Sequence, residues 1–238
     1  MNFLDVDLDS DIYRITTARY FLEDVRMHRF TVIRINGRQW GDPTENPLLN
    51  ATYRTAAGED LTLGALTRDF FASCWSLRAL GKPDDWEAFA HGEPGIRIQT
   101  TPRKLVNGFL YQASDTFASL KHWMGRVQYL PLDVIDEHFE DPNWGKHLDP
   151  TNEALIRSVL KIRQNWKTEE EVRLVFDRMQ NDAWNDEHAP LEPSNSAATR
   201  SSLPFDWSQA DVELYPDPSL SESEFNLIRT SLQRLRRS

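Results

Sequence analysis

The chain has 238 residues, of which 39% are hydrophobic and 11% aromatic, so it is long enough to bury a sizeable core in one domain. Its formal net charge of -10 argues against salt-dependent wrapping of nucleic acid and against adhesion to an anionic membrane, because both need a basic surface. Cys74 is the single cysteine, which excludes an internal disulfide, and the first residues lack the features of a secretory leader, so a cytoplasmic protein is expected.

The first third of the chain predicts two strands, a helix and a loop. Residues 12–15 and 30–35 are rich in β-branched and aromatic side chains, as strands are, and Thr16 and Thr17 are candidate helix starts between them. Residues 36–37 are Asn-Gly, a strong turn signal. Residues 40–47 hold two prolines and little periodicity, which predicts a loop of fixed shape, and such loops often carry function.

The middle of the chain alternates strand and helix patterns. Strands are predicted at 70–76, 95–100 and 127–130, and helices at 84–91, after Thr101 and at 132–139. Thr151 is predicted to open a longer helix whose Leu155, Val159 and Ile162 face the core.

A cluster of acids precedes a late apolar run. Residues 166–176 read Trp-Lys-Thr-Glu-Glu-Glu-Val-Arg-Leu-Val-Phe, and period-two alternation predicts that Glu169, Glu171 and Arg173 share one strand face. Two acids and a base side by side form either a self-neutralising ion network or a site for a sugar, a cation or a developing positive charge.

The last quarter begins with a polar stretch and ends with a helix. Residues 180–208 hold prolines, serines and acids, which predicts a long surface loop or insertion. Residues 212–215 predict a strand, and Ser221 with Glu224 forms a capping box for a closing helix. We therefore predict an α+β fold with a central mixed or antiparallel sheet and flanking helices, organised as a core (1–180), a polar insertion (181–208) and a strand and helix that pack back (209–238).

Six short motifs occur in a distinctive order. They are Tyr13-Arg14, Gly41-Asp42-Pro43-Thr44-Glu45, Cys74-Trp75-Ser76, Trp86-Glu87-Ala88-Phe89-Ala90, Gly95-Ile96-Arg97-Ile98 and Glu169-Glu170-Glu171-Val172-Arg173. In this order the chain resembles a bacterial and phage family catalogued as domain of unknown function 2971. Gly41 and Phe89 stand where that family usually has Asn and Tyr, which removes two polar groups. The resemblance implies an architecture and a role in phage–host conflict, for a family whose activity is not generally established.

The order of Arg14, Ser76, Glu169 and Glu171 also resembles enzymes that transfer ADP-ribose from NAD. In that class an early arginine grips the dinucleotide, a serine-containing strand supports the pocket, and a late Glu-x-Glu steadies an oxocarbenium-like transition state. The resemblance implies NAD as co-substrate, Glu171 facing the developing charge and Glu169 orienting or deprotonating the acceptor. The implied pocket lies between Arg14, the 40–45 loop with Asp42 and Glu45, Ser76 and Glu171.

Each candidate residue also has a structural interpretation. Arg14, Arg173, Asp42, Glu45 and Glu171 could instead form a buried salt-bridge network.

Trp86 could stack on a nicotinamide or adenine ring, or pack in the core together with Phe89 three residues later. Asp42 and Glu45 match no known metal loop, so no metal site is predicted.

Two hypotheses follow from the sequence. The first is an NAD-consuming ADP-ribosyltransferase or glycohydrolase. The second is a non-catalytic protein-interaction module with a structural arginine–glutamate network. For this module Trp144, Trp184 and Trp207, in polar surroundings, would be exposed contact residues, although they could equally anchor loops.

Overall fold

The computed structural model describes residues 1–35, 40, 45–49, 51–54, 57–62, 64–110, 122–140, 151–177 and 199–236. Over these residues the strands are β1 (Asn2–Leu4), β2 (Ile12–Thr17), β3 (Arg29–Arg34), β4 (Thr52–Arg54), β5 (Asp60–Thr62), β6 (Phe70–Ser76), β7 (Gly95–Thr100), β8 (His122–Arg126), β9 (Gln128–Leu130), β10 (Lys161–Arg163), β11 (Glu171–Asp177), β12 (Arg200–Pro204) and β13 (Glu213–Pro216). The helices are α1 (Ala18–Arg26), α2 (Gly64–Thr67), α3 (Pro83–Ala90), α4 (Pro102–Leu110), α5 (Leu132–Glu140), α6 (Glu153–Ser158) and α7 (Glu222–Leu235).

A large mixed sheet dominates the fold. Its strand order is β1-β8-β11-β6-β2-β7-β13, and β3 joins it by pairing with β6 and with β12. The β1–β8 pair is parallel, whereas the β8–β11, β2–β7 and β7–β13 pairs are antiparallel. Two small ribbons, β4–β5 and β9–β10, lie outside this sheet. The predicted α+β class with a mixed sheet is confirmed.

The chain divides into two compact units, each assembled from three stretches. Unit 1 comprises Met1–Asp5, Val32–Ser73 and Ser119–Ser201, and unit 2 comprises Val6–Thr31, Cys74–Ala118 and Ser202–Ser238. Each unit draws on distant parts of the sequence.

Unit 1 has a core of aliphatic side chains around a few aromatic rings. Its buried members are Leu4, Ile35, Leu48, Phe70, Ala72, Trp123, Val127, Leu155, Ile156, Val159, Leu160, Ile162 and Val175. Most of them come from strands, from α6 and from the 3-10 helix at Pro47–Leu49, so burial of this apolar surface ties segments far apart in sequence to one another.

Unit 2 contains a cluster of aromatic rings. The Trp207 ring lies 4.9 Å from Phe21, 5.7 Å from Phe30 and 4.6 Å from Phe205, measured between centroids. Phe109 completes the cluster at 4.5 Å from Phe205. Trp207 is 2% exposed, so the prediction that it is a surface residue is wrong, while Trp144 and Trp184 lie outside the described residues.

Several predicted elements match the structure closely. The strands predicted at 70–76 and 95–100 have these bounds, and Thr17 precedes α1. Ser221 caps α7 as a capping box, because its hydroxyl accepts a hydrogen bond from the Glu224 amide while the Glu224 carboxylate accepts one from the Ser221 amide. These agreements involve signals that act within a few residues of one another.

Other predicted elements differ. The long helix expected from Thr151 is limited to Glu153–Ser158, and Ile162, although buried, belongs to β10. Within the stretch 180–208 expected to be a polar loop, Arg200–Pro204 form β12, with Ser201 and Leu203 buried, while 180–198 lie outside the described residues. The average composition of residues 180–208 is polar, so it gave no sign of the short alternation of buried and exposed positions in β12.

No helix in the described part of the chain is both long enough and apolar enough to cross a membrane.

Asp85 at the start of α3 provides a test of local electrostatics. Burial by itself would raise the pKa of Asp85, but the Arg78 guanidinium and the amides of Gly81 and Lys82 outweigh it and hold that pKa below its usual value. A depressed folded pKa contributes stability above the unfolded pKa and loses it as pH falls through the folded value. We expect Asp85→Asn to cost about 1–3 kcal/mol at pH 7 and the difference from wild type to shrink below about pH 4.

Urea unfolding between pH 7 and the acid limit of folding measures this difference. The control is Asp84→Asn, which changes an exposed carboxylate in the same first turn and should lower the free energy of unfolding by much less than Asp85→Asn does. A difference in unfolding free energy between wild type and Asp85→Asn that stays constant with pH would contradict the lowered pKa of Asp85.

Candidate functional site

The acid cluster of the sequence lies at the start of a fully buried strand of unit 1. Every residue of β11 is buried, and Glu171 and Arg173 share one face by alternation. A buried charge is stable only when it is paired and hydrogen-bonded, so the partners of these two side chains define the role of the cluster.

Arg173 is the centre of a closed network. Its Nε donates to Glu171 Oε1 at 2.7 Å and its Nη2 donates to Glu171 Oε2 at 3.1 Å, a bidentate pair. Nη2 also donates to Glu45 Oε2 at 2.5 Å, and Nη1 donates to the Val159 carbonyl at 3.0 Å. Arg173 is 1% exposed, Glu171 4% and Glu45 6%, so the three side chains are shielded from solvent.

The same network fixes the described ends of the 40–47 loop. The Trp40 ring lies over the Arg173 guanidinium, with Cζ 4.9 Å from the ring centroid. The Trp40 indole N–H donates to the Arg34 carbonyl at 2.7 Å, and the Asn46 amide donates to the Ile35 carbonyl at 3.2 Å. This loop is therefore anchored by its own aromatic, acidic and amide side chains. Asp42 lies outside the described residues.

Glu169 does not share the strand face with Glu171, which corrects the alternation predicted from the sequence. It ends a 3-10 helix, Gln164–Glu169, and Glu170 then adopts a left-handed conformation with φ 46° before β11 begins. The change of backbone direction at Glu170 breaks the period-two register. Glu169 is half-buried, whereas Glu171 is sealed.

Tyr129 connects β9 to this cluster. The Glu171 backbone N–H donates to the Tyr129 hydroxyl oxygen at 2.9 Å. Burial raises the pKa of Tyr129, and the nearby carboxylates of Glu171 and Glu169 raise it further, against the lowering effect of that amide and of Arg173. The phenol therefore stays protonated at neutral pH and acts as a fixed hydrogen-bonding group.

Three residues assigned to NAD binding lie in unit 2. Arg14, on β2, is half-buried with its guanidinium 5.7 Å from the Phe30 ring centroid. Burial lowers the pKa of Arg14, and the charges of Cys74 and Asp24 oppose this shift. Ser76 is buried at the end of β6, where its hydroxyl accepts the Arg78 amide N–H at 3.0 Å.

Trp86 has packing contacts. Together with Phe89 it packs against a small core of Ile15, Leu80 and Ala90. Its indole N–H donates to the Gly81 carbonyl at 3.2 Å. These contacts agree with the packing interpretation of the aromatic pair on α3.

The predicted site residues thus fall into two sets. Glu45, Glu169 and Glu171 belong to unit 1, and Arg14, Ser76 and Trp86 belong to unit 2. Of the predicted salt-bridge network, the structure brings together Glu45, Glu171 and Arg173. Among the residues that the structure describes, no group of three His, Cys, Asp or Glu side chains could hold a metal ion.

A surface feature of unit 2 was not predicted. The Arg97 guanidinium on β7 lies 4.0 Å from the Tyr215 ring centroid and 5.9 Å from that of Tyr13. Its Nη1 donates to the Leu80 carbonyl at 2.5 Å, and a Cβ at Gly81 would lie only 2.8 Å from that nitrogen. The alternation of Arg97 and Gln99 along β7 was the available signal, but the two tyrosines that contact Arg97 are more than eighty residues away in sequence.

Comparisons of the chain with protein-family models, with curated proteins and with solved structures found no match.

Proposed function

We propose that the protein is a non-catalytic interaction module in which the Glu45–Arg173–Glu171 network is structural. One observation carries this proposal: both Glu171 oxygens accept hydrogen bonds from Arg173, and the side chain is 4% exposed. A carboxylate that stabilises an oxocarbenium-like transition state must face the reacting sugar. Glu171 is instead committed to an arginine inside the protein.

Exposed groups of unit 2 support a binding role. Tyr215 is 36% exposed and its hydroxyl donates to Glu213 at 2.8 Å. Aromatic side chains with a polar tip are frequent anchors of protein interfaces. A formal net charge of -10 favours partners that carry basic segments.

The decisive experiment measures nicotinamide release from NAD, with the pure protein alone and in cell extract. We expect no release from wild type, from Glu171→Gln or from Glu169→Gln. Glu171→Gln should change only the free energy of unfolding, because it weakens the bidentate pair with Arg173. Release by wild type that is abolished in a folded Glu171→Gln variant would contradict the proposal.

NAD consumption is the competing proposal, and one observation favours it. Glu169 is half-buried and close enough for its charge to act on the Tyr129 hydroxyl, so it is a more accessible carboxylate than Glu171. If this function holds, Glu169→Gln should abolish nicotinamide release while leaving stability close to that of wild type. We also propose that the chain belongs to the domain of unknown function 2971 family and acts in phage–host conflict, and the order of the six motifs supports this proposal.

A further inference from the structure

Aromatic rings and a guanidinium alternate across three strands of unit 2. Arg97 and Tyr215 are opposite each other in the β7–β13 register. Tyr13 is opposite Gln99 in the β2–β7 register and therefore lies diagonal to Arg97. Tyr13 on β2, Arg97 on β7 and Tyr215 on β13 therefore follow one another across the sheet. We call these three residues the stacking ladder.

β13 is the terminal strand of the sheet order over the described residues. The Asp217 amide donates to the Gly95 carbonyl at 2.9 Å, so residue 217 points its backbone groups toward β7. Backbone N–H and carbonyl groups alternate in direction along an antiparallel strand. Those of Glu213 and Tyr215 therefore also point toward β7, whereas the backbone groups of Leu214 and Pro216 point away from it. Leu214 therefore offers an N–H and a carbonyl to an added strand, and Pro216 offers a carbonyl.

The Tyr215 ring faces the open side of β13. Because Arg97 lies on β7 and contacts one face of the ring, the other face is on the side away from β7. Tyr215 donates a hydrogen bond to Glu213, and this bond raises the pKa of Tyr215. The same bond holds the Glu213 carboxylate beside the exposed, electron-rich ring. An electron-rich ring next to a carboxylate attracts a cation.

We infer that the open edge of β13 binds an extended, cationic segment of a partner protein, with an arginine or lysine side chain opposite Tyr215. This inference rests on the proposed interaction function and names its partner chemistry. The added strand would pair with Leu214, and its cationic side chain would continue the stacking ladder as the next member after Tyr215. The position opposite Tyr215 is a non-hydrogen-bonded one, where cross-strand side chains approach most closely.

A second copy of the chain is a poorer occupant of this edge. If two β13 strands paired through Leu214, Glu213 of one copy would lie opposite Tyr215 of the other. Such a pair puts a carboxylate, and no cation, against the electron-rich ring. The edge of β13 therefore matches a basic segment better than it matches itself.

The test uses a blocked eight-residue peptide that alternates threonine with arginine, titrated calorimetrically into the full chain. The reference peptide carries citrulline in place of arginine, which keeps the shape and removes the charge. We expect the arginine peptide to bind about five- to tenfold more tightly than the citrulline peptide, and Tyr215→Leu to weaken its binding by a similar factor. Glu213→Gln should also weaken it. Hydrogen exchange of the Leu214 amide should slow when the peptide binds.

Tyr20→Leu is the matched control. Tyr20 is 38% exposed and also lies against an arginine, with Arg19 Cζ 4.7 Å from its ring centroid, but it belongs to the helix α1 and not to a strand. Binding should be unchanged in Tyr20→Leu. Equal losses in Tyr20→Leu and Tyr215→Leu, or equal affinity for the two peptides, would overturn the inference.

Two further results distinguish failure of this inference from failure of the proposed function on which it rests. Sedimentation that shows a dimer lost in Tyr215→Leu would assign the edge to a second copy and overturn the cationic partner. Nicotinamide release by wild type would contradict the proposed function without changing the peptide titration. Absence of peptide binding combined with absence of release would overturn the inference alone.

Discussion

Replacing Arg173 by methionine is expected to lower the free energy of unfolding by about 3–5 kcal/mol. The change removes the shared partner of Glu45 and Glu171 and leaves both carboxylates buried without that guanidinium. It also removes the donor to the Val159 carbonyl and the cation under the Trp40 ring. Urea unfolding followed by tryptophan fluorescence measures the effect.

Two variants make this test specific. Arg157→Met removes an arginine that also pairs with two carboxylates, Asp5 and Glu153, but its side chain is 38% exposed, so the loss should stay within about 1 kcal/mol. The triple variant Glu45→Leu, Glu171→Leu, Arg173→Met should recover much of the stability lost in Arg173→Met, because it removes all three buried charges of this network together. A loss in Arg173→Met no larger than in Arg157→Met would refute a structural role for the network.

Replacing Trp207 by alanine is the second change with a large expected effect, about 3–5 kcal/mol of unfolding free energy. The ring contacts Phe21, Phe30 and Phe205, and its indole N–H donates to the Arg29 carbonyl at 2.9 Å. Alanine would leave a cavity among these rings and remove the N–H donor of that hydrogen bond. Thermal or urea unfolding of the variant gives the loss directly.

Trp207→Phe separates packing from hydrogen bonding at this position. Phenylalanine keeps much of the ring volume and loses the N–H, so we expect a smaller loss of about 1–2 kcal/mol. Equal losses for alanine and phenylalanine would show that the bond to the Arg29 carbonyl, and not the aromatic contacts, dominates. No change in either variant would contradict the burial of this residue.

The Arg173 network matters for function because it determines which side chains remain exposed for binding. Glu171, the residue with the most specific catalytic role in the NAD hypothesis, is held by its neighbour two positions along the same strand. The stacking ladder of unit 2 is exposed at Tyr215. Unfolding experiments on Arg173 therefore address the network in unit 1, and binding experiments address the edge of β13.

Local signals in the sequence predicted most of the elements. The apolar run of β6, the β-branched residues of β7 and the capping box of α7 depend on side chains within a few positions, and all three are found where predicted. The pairing of Glu171 with Arg173 also follows from alternation on one strand, so the sequence alone indicated that these two charges would meet.

Only the tertiary structure decided which distant residues complete each cluster. Glu45 lies 128 positions from Arg173, and Tyr215 meets Arg97 only because β13 pairs with β7. Trp207 has polar neighbours in sequence, yet it is buried because the segment after β12 packs Phe205 and Trp207 against rings from other segments. Strand order and register set these contacts, and both depend on burial of apolar surface over the whole sheet, which no short window of sequence contains.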